Sequence, residues 1–348
     1  MSEEYEPKST FIIAEAGSNW KCGSYEQDLL QAKELIKTAA QAGADAVKFQ
    51  TYKAETTYVK DAGVSDYLSK FGIKQSINEI FEHLSMPYEM IKELSKVCKK
   101  EKIYFMSTPF SVDDAMAIDP FVNIHKIASF EINHIRLLEF IAKTKKPVIV
   151  STGASNFVEI DFAVEFLKKH GCLDITLLQC TSKYPCPLES LNLLTIPQIH
   201  SRYNLPVGLS DHSEDPIIAP MMAVALGSTV IEKHFTLDKN LQGPDHKFAL
   251  NPQELEIMIK AIRNSEKAKG SGIKDILEDE KELRQFATRS IQSITDISKG
   301  DTFVEGKNFE ILRPGNRVRG LDAKFLDIVN GKKATKDISI GDGILDYE

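Results

Sequence analysis

The sequence predicts a (β/α)8 TIM barrel followed by a small β-rich module, and three observations lead there. Short β-type runs alternate with longer segments of helical period from residue 10 to about residue 260. Eight such runs occur, the number of parallel strands that closes this barrel. Beyond a charged, glycine-broken stretch the pattern changes to short runs separated by turn residues.

The eight runs are FIIAEA from Phe11, AVKFQT from Ala46, YFMSTP from Tyr104, HKIAS from His125, PVIVSTG from Pro147, TLLQCT from Thr176, PVGLSD from Pro206 and TVIEKHF from Thr229. Each is short, rich in β-branched or aromatic residues and nearly continuous in its apolar character, as strands covered on both faces must be. Between them, QDLLQAKELIKTAAQAG and VEIDFAVEFLKKHG carry apolar residues at i, i+3 and i+4 with glycine at the exit, which marks outer helices. A longer, less regular insertion from Thr56 to His83 places extra loop at the C-terminal mouth of the barrel. Residues 262–286 read as a polar helix, a GSG-broken linker and a short helix. SIQSITDI, FEILRPG and ATKDISI, punctuated by KGD, PGN, NGK and IGDG, then read as a compact β module. The expected division is a catalytic barrel over 1–265, a linker over 266–286 and the module over 287–348. So small a module is expected to pack on the barrel or on another subunit.

Composition narrows the class. Of 348 residues 42% are hydrophobic and 27% charged, values of a globular, soluble chain. MSEEYEPKST has neither the basic start nor the apolar run of a secretory signal, and no apolar run approaches membrane-spanning length. The five cysteines are odd in number and lack CxxC spacing, which argues against a disulfide framework and a structural zinc site and fits a reducing cytoplasm. Net charge is −7 with no isolated basic block, so no nucleic-acid partner is expected.

In such a barrel the active site lies at the C-terminal strand ends, and nearly every run here ends in a polar residue. Lys48 and Lys126 terminate apolar runs, and a lysine held there needs an anionic partner to offset its desolvation. With Thr108, Ser129 and Ser210 they form a cradle for a small anion bearing phosphate and carboxylate; a Schiff-base lysine is the competing reading. Glu15, Glu131 and Asp245 can carry protons or accept hydrogen bonds from sugar hydroxyls, and Glu232 can partner a neighbouring lysine. His212 closes the seventh run and His234 the eighth. One strand-end histidine is ordinarily a hydrogen-bonded core residue, but two on adjacent strands make a metal site for Mn²⁺, Fe²⁺ or Zn²⁺ with positions left open. His246, in GPDHKF, is a weaker candidate.

The segments IIAEAGSN, GADAVKFQT, FMSTPF, KIASFEIN, STGAS, LQCTSKYPCP, GLSDHSEDP, IEKHFTLDKNLQGPDH and RPGN run in one order over nearly the whole chain. In that combination the chain resembles the sialic acid synthases, which condense phosphoenolpyruvate with N-acetylmannosamine or related amino sugars. The wording of EINH, SDHSEDP and EKHFTLDKNLQGPDHKFALNP is closest to the branch named for spore-coat polysaccharide biosynthesis, and the module resembles the antifreeze-like (SAF) domain of these enzymes. The resemblance implies that Lys48, Thr108, Lys126, Ser129, Ser182 and Ser210 hold phosphoenolpyruvate. It implies that His212 and His234 hold a divalent metal, usually Mn²⁺, that Glu15, Tyr184 and Asp245 contact the sugar, and that Glu131 lies beside the reacting centre. It further implies a domain-swapped homodimer in which Arg313 of RPGN, with Phe286 nearby, reaches the sugar from the partner subunit.

Three departures stand out. NWKCG replaces the family's usual NHNG, with Trp20 where a histidine is common; Ser182 replaces an asparagine; and an asparagine that some relatives direct at the sugar has no counterpart near Gly72. The competing functions are condensation onto a phosphorylated aldose, for which Arg136 and Lys183 are the only obvious extra cations, and a catalytically silent sugar- or ice-binding module.

Overall fold

The computed structural model describes residues 9–64 and 75–348; the first eight residues and Gly72 lie outside them. The described chain divides into two compact units, Met1–Gly270 and Ser271–Glu348.

The first unit is the expected barrel. Its parallel strands are β1 (Phe11–Gly17), β2 (Ala46–Thr51), β3 (Tyr104–Pro109), β4 (His125–Ile127), β5 (Val148–Ser151), β6 (Ile175–Cys180), β7 (Val207–Asp211) and β8 (Val230–His234). They pair in the order β3-β2-β1-β8-β7-β6-β5-β4, and β3 and β4, at the two ends of that ladder, stand beside each other to close the ring. Side chains alternate across each strand, and the alternation sorts the sequence into an outer and an inner set. Ile12, Ala14, Val47, Phe49, Val150, Leu177, Leu209 and Ile231 face outward into the core shared with the helices.

The inward residues stack in layers. The lower layer is apolar, with Phe11, Ile13, Ala46, Met106, Ile149, Leu178 and Val230 in one buried cluster. Gly208 completes it, because a Cβ there would meet the Val230 carbonyl oxygen at 2.3 Å and Leu178 at 2.6 Å. Two residues further along each strand the layer becomes polar: Glu15, Lys48, Thr108, Lys126, Ser151, Ser210 and Glu232, all nearly inaccessible. Period-two alternation thus carries one row of charge into the barrel on top of its hydrophobic plug.

The outer helices begin and end on local signals. The helix Tyr25–Ala42 starts at a Ser24–Gln27 capping box and stops at Gly43, whose φ of 91° is left-handed; it buries Ala32, Leu35, Ile36 and Ala39. The helix Phe157–Lys169 starts at an Asn156–Glu159 box. The described part of the insertion after β2 is more regular than expected. It holds the helix Ile77–Leu84, which opens at a Ser76–Glu79 capping box and buries Ile77, Ile80 and Leu84. The helix before the unit boundary runs from Pro252 to Lys269, past the expected break at 265.

The second unit contains the helix Lys281–Ala287 and the antiparallel pair β9 (Ser290–Ser293) and β10 (Phe309–Leu312). Its core is Ile291, Ile297, Phe303, Phe309, Val329, Ala334, Ile338 and Ile344. ATKDISI is not a continuous strand: this part of the unit touches its neighbours through single bridges, Ile297 with Ile338 and Thr302 with Lys333. With so few residues between turns, side-chain burial rather than ladder length holds it together.

Candidate active site

A cavity of about 780 Å³ opens at the C-terminal ends of the barrel strands. Its floor is the charged layer. Lys48 Nζ lies 2.7 Å from Glu15 Oε2 and 3.6 Å from Glu232 Oε1, and it donates to Thr108 Oγ1 at 2.9 Å. Lys126 donates to Ser151 Oγ at 2.7 Å, with Glu232 Oε2 at 3.9 Å. Glu232 therefore stands between the two ammonium groups, and Ser210 donates to it at 3.3 Å. Burial works against charge on Glu232, but Lys126 and Lys48 outweigh it and hold its carboxyl below the usual value. On Glu15 burial wins over Lys48, and its carboxyl is pushed up to about 7.

At the mouth, Ser129 belongs to a 3-10 turn, Ser129–Glu131, that follows the short β4. Its hydroxyl accepts the Gly153 amide at 2.9 Å. Gly153 lets β5 approach this closely, since a Cβ would lie 2.4 Å from Ser182 Oγ. Ser182 Oγ itself is buried without a hydrogen-bond partner. Glu131 ends the turn facing the cavity, with Oε2 also buried and unpartnered. Desolvation, only partly offset by Lys126, pushes its carboxyl up to about 7.

The two histidines meet as expected of strands β7 and β8. Their ring centroids are 5.6 Å apart and nearly edge to face, wedged by Tyr184, 4.1 Å from the His212 ring, and by Phe248, 5.2 Å from the His234 ring. His212 Nδ1–H donates to the Thr181 carbonyl at 2.8 Å, so in the neutral ring Nε2 is the nitrogen that could take a cation. His234 Nδ1 is buried without a hydrogen-bond partner. Burial and the neighbouring His212 and lysine cations hold the His234 imidazole well below its usual pKa, so it is neutral. Burial acts the same way on His212, but Cys180, the Thr181 carbonyl and Asp211 outweigh it and raise that imidazole. Two adjacent imidazoles, one orphaned and one with its tautomer fixed, fit a divalent cation. Among the described residues no group of three or more His, Cys, Asp and Glu gathers to hold a metal. Asp245 Oδ2 is 3.9 Å from His234 Nδ1 and accepts from Ser18 at 3.3 Å.

One side of the cavity is apolar. Phe81 and Phe110 pack on Tyr52 at centroid distances of 4.6 and 5.1 Å, and Tyr58 packs edge-on against Phe81. Ile77, Ile80 and Leu84 extend this wall. Reasoning from strand ends does not reach these residues, because they lie in the insertion and after β3. The aromatic spacing around the Ser76 capping box is the signal that could have found them.

Other candidates fall elsewhere. His246 does not line the cavity; it is buried against the Thr236 hydroxyl at 2.7 Å, and burial pushes its imidazole down to about 4. It is a core histidine. Trp20 is likewise core, 1% exposed. Arg136 is exposed and paired with Glu139 at 3.0 Å, whereas Lys183 lines the cavity. Phe286 and Arg313 belong to the second unit. There the Gly315 amide donates to the Phe286 carbonyl at 3.0 Å, so the RPGN turn and Phe286 adjoin, with Phe286 half exposed and Arg313 on the surface.

An eight-stranded barrel with paired cations on its floor and paired imidazoles at its mouth is an enzyme architecture. Comparison with known proteins gives the class: residues 35–274 match the model of the NeuB family. The spore coat polysaccharide biosynthesis protein SpsE of Bacillus subtilis is 40% identical over 96% of this chain and 92% of its own length. Pseudaminic acid synthase of Campylobacter jejuni is 41% identical over 97% and 96%. The crystal structure of N-acetylneuraminic acid (sialic acid) synthetase from Leptospira borgpetersenii, solved with citrate, aligns at a TM-score of 0.70 and 34% identity over 80% of this chain and 92% of that one. The chain belongs to the NeuB family and is a transferase.

Proposed function

We propose that this enzyme condenses phosphoenolpyruvate with the open-chain aldehyde of an N-acylated amino sugar, N-acetylmannosamine or a related diacetamido hexose, to give a nonulosonic acid and phosphate. The observation that carries the reading is the two-sided cavity: buried Lys48 and Lys126 below, with an imidazole pair and an apolar wall above.

Lys48, Lys126 and the hydroxyls of Thr108, Ser129, Ser182 and Ser210 would hold the carboxylate and phosphate of phosphoenolpyruvate by charge-assisted hydrogen bonds. Seated there, its C3 faces the mouth. Tyr184 and Asp245 would orient the sugar hydroxyls, and the Tyr52–Phe81–Phe110 wall suits an acetamido methyl or a deoxy carbon. His212 and His234 are the residues that would hold a divalent metal, Mn²⁺ being the first choice; when bound it supplies Lewis-acid polarisation of the aldehyde carbonyl. C3 of phosphoenolpyruvate forms the new carbon–carbon bond to the aldehyde carbon, whose oxygen takes up a proton to become a hydroxyl. Water adds to C2, one of its protons passing to a carboxylate, and phosphate departs with cleavage of its C2–O bond as the new C2 hydroxyl gives its remaining proton to the departing phosphate, leaving a 2-keto-3-deoxy acid.

Glu131 is the better proton acceptor of the two candidate carboxylates. Both carboxyls are pushed up to about 7, but Glu15 is engaged by Lys48 at 2.7 Å and by Gln50 at 3.1 Å, whereas Glu131 Oε2 faces the cavity without a hydrogen-bond partner. Two substrates held in line can supply about 7–11 kcal/mol of the barrier. Closure of the mouth then matters, and we assign it to Arg313 and Phe286 of a partner subunit in a domain-swapped homodimer.

The test is phosphate release from phosphoenolpyruvate with Mn²⁺, with and without chelator, across N-acetylmannosamine, diacetamido-dideoxyhexoses and arabinose 5-phosphate. Turnover with a free amino sugar that chelation abolishes is expected; turnover with arabinose 5-phosphate alone overturns the reading. For the dimer, mixing inactive Arg313→Ala and His212→Ala chains should restore activity by building one intact site per pair.

A further inference from the structure

Asp211 and Lys233 form a second buried charge pair, on the outer face of the barrel wall and away from the cavity. Asp211 is 1% exposed and Lys233 2%, and neither lines the cavity. Lys233 Nζ lies 2.5 Å from Asp211 Oδ2, 2.7 Å from the Ser213 carbonyl oxygen and 3.2 Å from Ser213 Oγ. Asp211 Oδ1 in turn accepts the Ser213 amide at 2.8 Å. The ammonium therefore grips the residue before His212 and the residue after it, from a side chain whose own next neighbour in the chain is His234. Strand alternation places Asp211 and Lys233 outward and His212 and His234 inward.

A buried ion pair is a weak source of stability, since two apolar residues of similar volume often serve as well. What this pair supplies is a fixed distance between the ends of β7 and β8. The main chain at His212 is tied once more, by the Cys186 amide donating to its carbonyl at 2.8 Å.

We propose that Lys233, through Asp211 and Ser213, is a positioning residue that sets the separation of the two imidazoles to suit a shared divalent cation. The inference rests on the reading of His212 and His234 as the metal pair, and its test separates the two. Mn²⁺ binding is titrated by the loss of the free-ion electron paramagnetic resonance signal, in the full-length protein and in an Asp211→Asn/Lys233→Met double variant that leaves neither charge alone. The double variant should fold, with unchanged circular dichroism, and bind Mn²⁺ at least about ten-fold more weakly, the range seen when supports behind metal ligands are lost. Its kcat should fall while the KM for phosphoenolpyruvate moves less than about three-fold. Mn²⁺ affinity within about two-fold of the parent in the folded double variant overturns the positioning role and leaves the metal reading standing. Absence of Mn²⁺ binding in the parent overturns both. If the double variant does not fold, Lys233→Gln, which keeps an uncharged donor toward Ser213, takes its place; a loss of about three-fold or more in affinity supports the role and an unchanged affinity overturns it.

Discussion

The floor and the apolar wall of the cavity solve different problems with different parts of the chain. The floor is made by strand interiors: Lys48, Lys126, Glu15, Glu232, Ser151 and Ser210 all stand on β-strands and partner one another. The wall is made by the segments that leave β2 and β3, with Tyr52, Tyr58, Ile77, Ile80, Phe81, Leu84 and Phe110. Strands in a closed barrel cannot shift without disturbing their neighbours, whereas loops and a short surface helix can vary without cost to the core. Such a division suits an enzyme that holds one invariant substrate rigidly and tunes the other.

Breaking the mouth should have the largest effect. His212→Ala, or chelation of the parent, is expected to lower turnover by roughly 10³-fold or more, the loss of several kcal/mol of Lewis-acid stabilisation; residual turnover near the parent's under strict chelation would show that the imidazole pair serves another purpose.

The next largest effect separates the two carboxylates. In kcat/KM against pH, the parent should gain activity as pH rises through about 7, where Glu131 loses its proton. Glu131→Gln should cost about 10²- to 10⁴-fold and abolish that limb, while Glu15→Gln should keep it. Linkage acts on the same group. Because burial raises this carboxyl from its ordinary 4.5 to about 7, ionising it costs the folded state, and stability should decline as pH rises from the first value to the second. Glu15 is raised over the same range, so Glu131→Gln should remove only its own share of that decline, which urea unfolding at several pH values would register.

On the floor, Lys126→Met leaves Glu232 with one lysine partner, Lys48, 3.6 Å away. A destabilisation of about 3 kcal/mol is expected from the imbalance of buried charge, most of it recovered in Lys126→Met/Glu232→Gln, with phosphoenolpyruvate affinity lost in both. Equal stability of the single and double variants would break the view of the floor as one charge-balanced unit.

The smallest effect tests the wall. Phe81→Ala should raise the sugar KM about ten-fold, from roughly 1.5 kcal/mol of lost apolar contact, and leave the phosphoenolpyruvate KM unchanged. If both constants rise together, floor and wall are not separate devices.

The unequal legibility of the two regions has the same origin. Lys48 and Lys126, expected at strand ends, stand inside β2 and β4; they betray themselves all the same, since a charge within an apolar run is costly unless it has partners. The histidines emerge from counting strands: β7 and β8 are adjacent whatever the loops do. The wall carries no such conflict, because an aromatic residue in a loop is compatible with core, surface or site. Likeness of sequence alone assigns Arg313 and Phe286 to the sugar, and the second unit brings the RPGN turn and Phe286 side by side without placing either at a substrate.

By itself the sequence determined the eight-strand alternation, the capped outer helices and the set of polar strand ends, because these depend on periodicity and local chemistry. Only the tertiary structure decided which buried charges partner one another, that His246 is core while His234 Nδ1 is left without a hydrogen-bond partner, and that Lys233 holds both flanks of His212. Those outcomes depend on distances across strands far apart in the chain, set by barrel register and burial rather than by any local pattern.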